Sequence, residues 1–232
     1  MPLRFVAVTF DAHHPVQLAS FWASVLDRQN VEEAGGALLP GDETQVGLRF
    51  LAATSEKSGQ NRMHLHLTCS SPDDLQHVVD TVLGLGGRHV DVGQLPGEPH
   101  VVLGDPEDNE LCVIGPGNKF LTGCGFLGEV ACDGTREVGL FWSDALEWPL
   151  VWDQDEETAV QSPRGGTKVS WGGPPLSPKS GRNRQRFRLA ATDVAAEVKR
   201  LVARGAVELS ARDGGVELAD PDGNEFSVVP EA

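Results

Sequence analysis

The stretch "DPEDNELCVI" (105–114) returns near the other end of the chain as "DPDGNEFSVV" (220–229). Each reads as a tight turn built from Asp, Pro and Asn that runs into an apolar strand. Two more blocks recur in the same order. "FWASVL" (21–26) becomes "FWSDAL" (141–146), and "KSGQNR" (57–62) becomes "KSGRNR" (179–184). Ordered blocks at a near-constant offset mark an internal duplication. The last offset is shorter, which fits the longer loop "DVGQLPGEP" (91–99) in the first copy. The repeat predicts two homologous domains, 1–115 and 123–232, joined by a linker over 116–122 within the Gly-rich "GPGNKFLTG".

Each copy predicts the same run of elements. "LRFVAVTF" (3–10) is β-branched and aromatic, a strand. Pro15 opens a segment with Leu18, Phe21, Trp22, Val25 and Leu26 at helical spacing. "VGLRFLA" (46–52) and the alternating "RMHLHLTC" (62–69) are strands. "SPDDLQHVVDTVLGLGG" (71–87) carries a helix's punctuation, with a Ser cap, Pro72 at the first helical position, early acids and a Gly stop. "TDVAAEVKRLVARG" (192–205) is its counterpart. Each domain is therefore expected to hold two βαβββ modules, an α+β arrangement with helices outside a curved, cup-shaped mixed sheet.

The bulk properties narrow the partners. The 232 residues carry 34 acidic against 19 basic groups, a net charge of −15. A field of that sign repels phosphate backbones, so neither nucleic acid nor an anionic membrane surface is an expected partner. The apolar runs are strand-sized, and Cys69, Cys112, Cys124 and Cys132 form no CxxC pair. With no leader after "MPLRFVAV", a cytoplasmic protein with free thiols is expected. Its partner is a small molecule, and a homodimer is compatible with the chain.

Several residues carry chemistry. In "NRMHLHL" (61–67), His64 and His66 are two apart on a strand and share a face, as neighbouring metal ligands do. The second copy has "NRQRFRL" (183–189), with Arg186 and Arg188 in their places. Arg182, Arg184, Arg186 and Arg188 are spaced by two, so a regular strand would align them. Their forks suit carboxylates, phosphates or flat anionic rings, although pairing with surplus acids explains them as well. Trp171, on the strand matching that of Arg49, is expected to give an aromatic floor beside Arg186 and Arg188. Asp11 and Asp133 are expected to help cap the turns after their strands. Asp108 stands where the repeat has Gly223, and it tolerates the left-handed backbone better than most residues. No nucleophile elbow, phosphate loop or dinucleotide fingerprint occurs.

The "FW…L", "NR-x-H-L" and "DP-x-x-N-E" elements, twice over and in this order, resemble the vicinal oxygen chelate superfamily, which includes glyoxalase I, bleomycin-resistance proteins and extradiol dioxygenases. The blocks are similar to glyoxalase-like domains common in actinobacteria. The resemblance implies a cup that, in metal-using members, holds an ion through one residue from the first and last strand of each module. Carried over here, those positions fall near Ala7, near Leu48, at His64 and at Cys112, so two of the four lack a ligand. In the second copy Glu129 lies near the first-strand position, but Arg186 would repel a cation and Ser227 replaces Cys112. That cup is expected to be metal-free.

The expectation is thus a small-molecule-binding protein without an obligatory metal, its ligand planar or anionic and its site drawn from His64, His66, Arg186, Arg188, Trp171 and Glu129. The alternative is a metal-dependent lyase, isomerase or dioxygenase holding zinc, iron, nickel or manganese through His64, His66 and Cys112. A metal-free enzyme with His64 as general base lies between them. The sequence does not specify whether cups form within a domain or by exchange of modules between domains.

Overall fold

A computed structural model describes residues 3–95, 97–212 and 214–231. Four modules follow one another. The first holds β1 (Arg4–Ala12), α1 (Pro15–Leu26), β2 (Val31–Glu33), β3 (Gly36–Leu39) and β4 (Gly47–Ala52). The second holds β5 (Met63–Thr68), α2 (Pro72–Gly84), β6 (Arg88–His89), β7 (His100–Gly104) and β8 (Glu110–Ile114). The third holds β9 (Leu127–Cys132), α3 (Arg136–Leu146), β10 (Leu150–Gln154), β11 (Glu157–Gln161) and β12 (Lys168–Trp171). The fourth holds β13 (Gln185–Ala191), α4 (Val194–Val202), β14 (Val207–Arg212), β15 (Gly215–Ala219) and β16 (Glu225–Pro230).

The helix ends follow local chemistry. Ser71 Oγ accepts the Asp74 N–H at 3.1 Å and Pro72 opens α2. Thr135 and Asp193 play Ser71's part for α3 and α4. α1 has no such side-chain cap. Instead Glu107, from the β7–β8 turn, accepts the N–H groups of His13 and His14 at 2.9 and 2.6 Å. A carboxylate there satisfies orphan donors and opposes the helix dipole favourably. Asp11 and Asp133, expected at these caps, instead pair with Arg186 and Arg62.

The four modules build two sheets of eight strands, and each sheet takes one module from each half of the chain. The first runs β14-β15-β16-β13-β1-β4-β3-β2, uniting modules one and four. The second runs β10-β11-β12-β9-β5-β8-β7-β6, uniting modules two and three. The joins are the antiparallel pairs β1–β13 and β5–β9, with Thr9 opposite Arg186 and His66 opposite Glu129. The cups therefore form by exchange between the halves.

One face of each sheet enters a shared core. Phe10, Leu48, Phe50 and Phe187 from the first sheet join Leu65, Leu67, Leu111 and Val130 from the second, with Trp22 of α1 and Trp142 of α3. Those two indoles tie the sheets together reciprocally. Trp22 donates to Asp105 at 3.1 Å and Trp142 to Asp220 at 3.2 Å, each carboxylate belonging to a turn of the opposite sheet. Burial pushes both carboxyls up to about 6, against hydrogen bonds that favour the ionised form. The turns close through left-handed residues, Asp108 at φ 66° and Gly223 at φ 80°, as expected of that pair.

Candidate functional site

Because strand side chains alternate, the residues between the core positions lie on the open face of each sheet. On the second sheet, register sets His66 beside Cys112 on β8 and opposite Glu129 on β9, with Lys168 of β12 next in line. His64 is one pleat away on β5. A donor atom from each of His64, His66 and Cys112 lies within 4.8 Å of the others.

The imidazoles are held in a chain of contacts. His64 Nε2 and His66 Nε2 are 2.8 Å apart, and His66 Nδ1 is 2.6 Å from Glu129 Oε2. Ser170 of β12 donates its hydroxyl to the other oxygen of Glu129. Burial first, and His66 second, lower His64 to about 3. Burial also works against a charge on His66, but hydrogen bonds to Cys112 and Glu129 outweigh it and raise His66 to about 9. Glu129 stays below the usual carboxylate range because its bonds to His66 and Ser170 overcome its burial. The unequal affinities put the shared proton on His66, which donates from both nitrogens, to Glu129 and to His64.

The connection between the halves covers part of this face. Leu121 and Cys124 pack with Val102, Cys112 and Ile114 in a small second core. Lys168 donates to the Phe120 carbonyl and lies 4.2 Å over the Phe120 ring, which meets Trp152 edge-on at 5.7 Å. Glu110, which shares the Cys112 face, is taken by Lys57 at 2.6 Å.

The other expected residues lie elsewhere. Arg186 and Arg188 are on the open face of the first sheet, so Arg186 is on a different sheet from Glu129. Contrary to the expectation from sequence, Arg186 is therefore not placed to repel a cation at Glu129. Arg186 grips Asp11 with both terminal nitrogens, at 2.7 and 2.6 Å. Arg184 pairs with Glu107 at 3.1 Å, and Arg182 with Glu217. Only Arg186 and Arg188 of the four belong to β13. Trp171 does not floor either cup. It is 2% exposed in the shared core, on the opposite side of β12 from Ser170. The contribution of Ser170 was missed by sequence reading, since nothing local ties it to Glu129 on another strand.

The chain matches the glyoxalase-like domain family over residues 7–114 and again over 129–229, and it belongs to that family. No curated protein matches it in sequence. Among solved structures it is similar to glyoxalase I from Zea mays, at 12% identity and a TM-score of 0.67, covering 98% of this chain and 92% of that one. It is also similar to a candidate dioxygenase from Bacillus subtilis subsp. subtilis str. 168, at 12% identity and a TM-score of 0.61, covering 98% and 84%. At these identities the likeness establishes a shared two-half fold. Among the described residues no helix is long and apolar enough to cross a membrane.

Proposed function

We propose that the open face of the second sheet is a divalent-metal site for a small-molecule substrate, with His64, His66 and Cys112 as ligands and Glu129 as the residue that positions His66. The observation that carries the reading is the convergence of those donor atoms within 4.8 Å. The donors fit the group. Two imidazoles and a thiolate suit a borderline cation such as zinc, iron or nickel better than manganese, which prefers oxygen. Three protein ligands leave a position open for substrate. A carboxylate on the far nitrogen of a ligating histidine fixes its ring and raises its basicity, as Glu129 does to His66. Without an ion, His64 and His66 share a proton through their Nε2 atoms, and His64, His66 and Cys112 are the residues that would hold a cation.

An ion held there would act as a Lewis acid on adjacent oxygens of the substrate, which supports an activity of the lyase, isomerase or dioxygenase kind. The chain's own groups prepare the site. Ser170 and His66 keep Glu129 ionised. Burial keeps the imidazole of His64 neutral and ready to ligate, and the same low proton affinity makes it a weak general base near neutral pH. The Phe120, Lys168 and Trp152 contacts pin the connecting segment across one side and limit solvent. No second copy is needed to complete either cup, since each takes strands from both halves of one chain.

The metal-free, anion-binding reading rests on arginines of the first sheet. The two readings thus concern different faces of the molecule and can both hold.

The deciding experiment is metal content of untagged protein purified without chelator, beside a His64→Ala, His66→Ala double mutant. Near-stoichiometric zinc, iron or nickel that the mutant loses is the expected result. Metal far below one per chain, unchanged in the mutant and not restored by adding ions, would retire the proposal.

A further inference from the structure

The open face of the first sheet holds an arginine that this acidic protein leaves without an acid. Of the four arginines spaced by two along the sequence, Arg182, Arg184 and Arg186 each have a carboxylate partner. Arg188 has no hydrogen bond or ion pair among the described residues, although it is half-buried and the chain carries 34 acidic residues. Its setting explains why a neighbour does not neutralise it. Register places Arg188 between Ala7 on β1 and Ser227 on β16. Across β1, Thr9 lies beside Arg49 of β4. The strand separating the two arginines thus offers only a methyl group and a hydroxyl, leaving room above it.

Arg49 brings a second, incompletely used fork. Its Nε donates to Glu33 at 2.5 Å, and its terminal nitrogens make no hydrogen bond among the described residues. One carboxylate therefore serves two half-buried guanidinium groups. Burial, and after it the charge of Arg49, lower the proton affinity of Arg188, with Glu33 only partly compensating. Two like charges on one sheet face with a single strand between them repel each other, and an anion held between them would relieve that repulsion.

We infer that the first sheet carries an anion site in which Arg188 and Arg49, on either side of β1, bind a small molecule through a carboxylate or phosphate group, with Ser227 flanking Arg188 on its other side. Planar forks match both groups with paired, charge-assisted hydrogen bonds. Arg186 is not part of this site, because Asp11 already occupies its fork. The site is separate from the proposed metal centre and stands whether or not that centre binds an ion.

The test is calorimetric titration of the full-length protein with inorganic phosphate and, separately, with benzoate, at constant ionic strength set by chloride. The same titrations are run on Arg188→Gln, Arg188→Lys, Arg49→Gln and the His64→Ala, His66→Ala protein. Saturable binding of one anion is expected, and which anion binds assigns the group. Arg188→Gln and Arg49→Gln should each weaken it at least about tenfold, the scale of a lost charged hydrogen bond. Arg188→Lys keeps the charge without the fork and should fall between, while the histidine mutant should bind as wild type does. Without ligand, Arg188→Gln should melt at or above the wild-type temperature, because it relieves repulsion. No saturable binding of either anion by the wild type, equal binding by Arg188→Gln, or a clear drop in that variant's melting temperature without ligand would each overturn the inference.

Discussion

The two sheets have the same order of modules and the same strand register, yet their open faces are chemical opposites. At matching strands the second sheet offers His64, His66, Cys112 and Glu129, while the first offers Arg186, Arg188, Ser227 and Ala7. A donor set of imidazoles, a thiol and a carboxylate accepts a cation. A set of guanidinium groups accepts an anion. The comparison teaches that the fold fixes which positions converge, and that a few substitutions on one face reverse its charge without touching the core beneath.

The largest effect should come from separating the halves. Each sheet is joined through a strand pair between halves, so we propose that 1–115 and 123–232, the repeated units, cannot complete either sheet alone. Expressed singly, each fragment should lack the cooperative melt of the whole chain, and mixing should restore it, as followed by circular dichroism and size-exclusion chromatography. A lone half melting cooperatively at the whole-chain temperature would break the exchange argument.

The second sheet's site gives the next effect. Cys112→Ala removes a ligand and should cost more metal affinity than Glu129→Gln. The latter loosens only the orientation of His66 and should cost roughly 10–100-fold. Competition with a chromophoric chelator ranks the two, and an equal loss would promote Glu129 to a direct ligand.

The histidines then separate by pH. His66 is raised from 6.5 to about 9, so the folded protein holds that proton more tightly than the unfolded chain. Its stabilisation is complete below pH 6.5 and is lost as pH rises through 9. His64, lowered to about 3, works in the other direction, and its contribution fades as pH falls from 6.5 toward 3. Metal uptake should strengthen from pH 6.5 to 9, because the ion displaces the proton of His66. Nitrogen-detected NMR titration of the metal-free protein should show one ring protonated across neutral pH and its neighbour not. Two rings titrating together near 6.5 would contradict the arrangement.

The smallest effect compares the two turns. Gly223→Asp copies the first half's Asp108 into the same left-handed backbone and should change stability by less than about 1 kcal/mol. Gly223→Val should cost more, because a β-branched residue resists positive φ. Urea melts distinguish them, and equal cost for Asp and Val would mean that backbone conformation does not govern the site.

Much of this was written along the chain. The repeated blocks carried the four modules, the helix punctuation carried the cap at Ser71, and the period-two spacing put His64 and His66 on one face. Local pattern gives the face of a strand but not its neighbour. A strand reads the same whichever partner it pairs with, since backbone hydrogen bonds are common to every pairing. That is why Glu129 and Ser170 could not be joined to His66 from sequence, and why Arg186 was set against a carboxylate on another sheet. It is also why Trp171 was placed on an open face: the alternation of a four-residue strand does not say which side meets the core. The sequence by itself determined the modules and the donors each contributes. The tertiary structure alone decided that module one closes on four and two on three, because burying the shared core around Trp22 and Trp142 requires both halves at once.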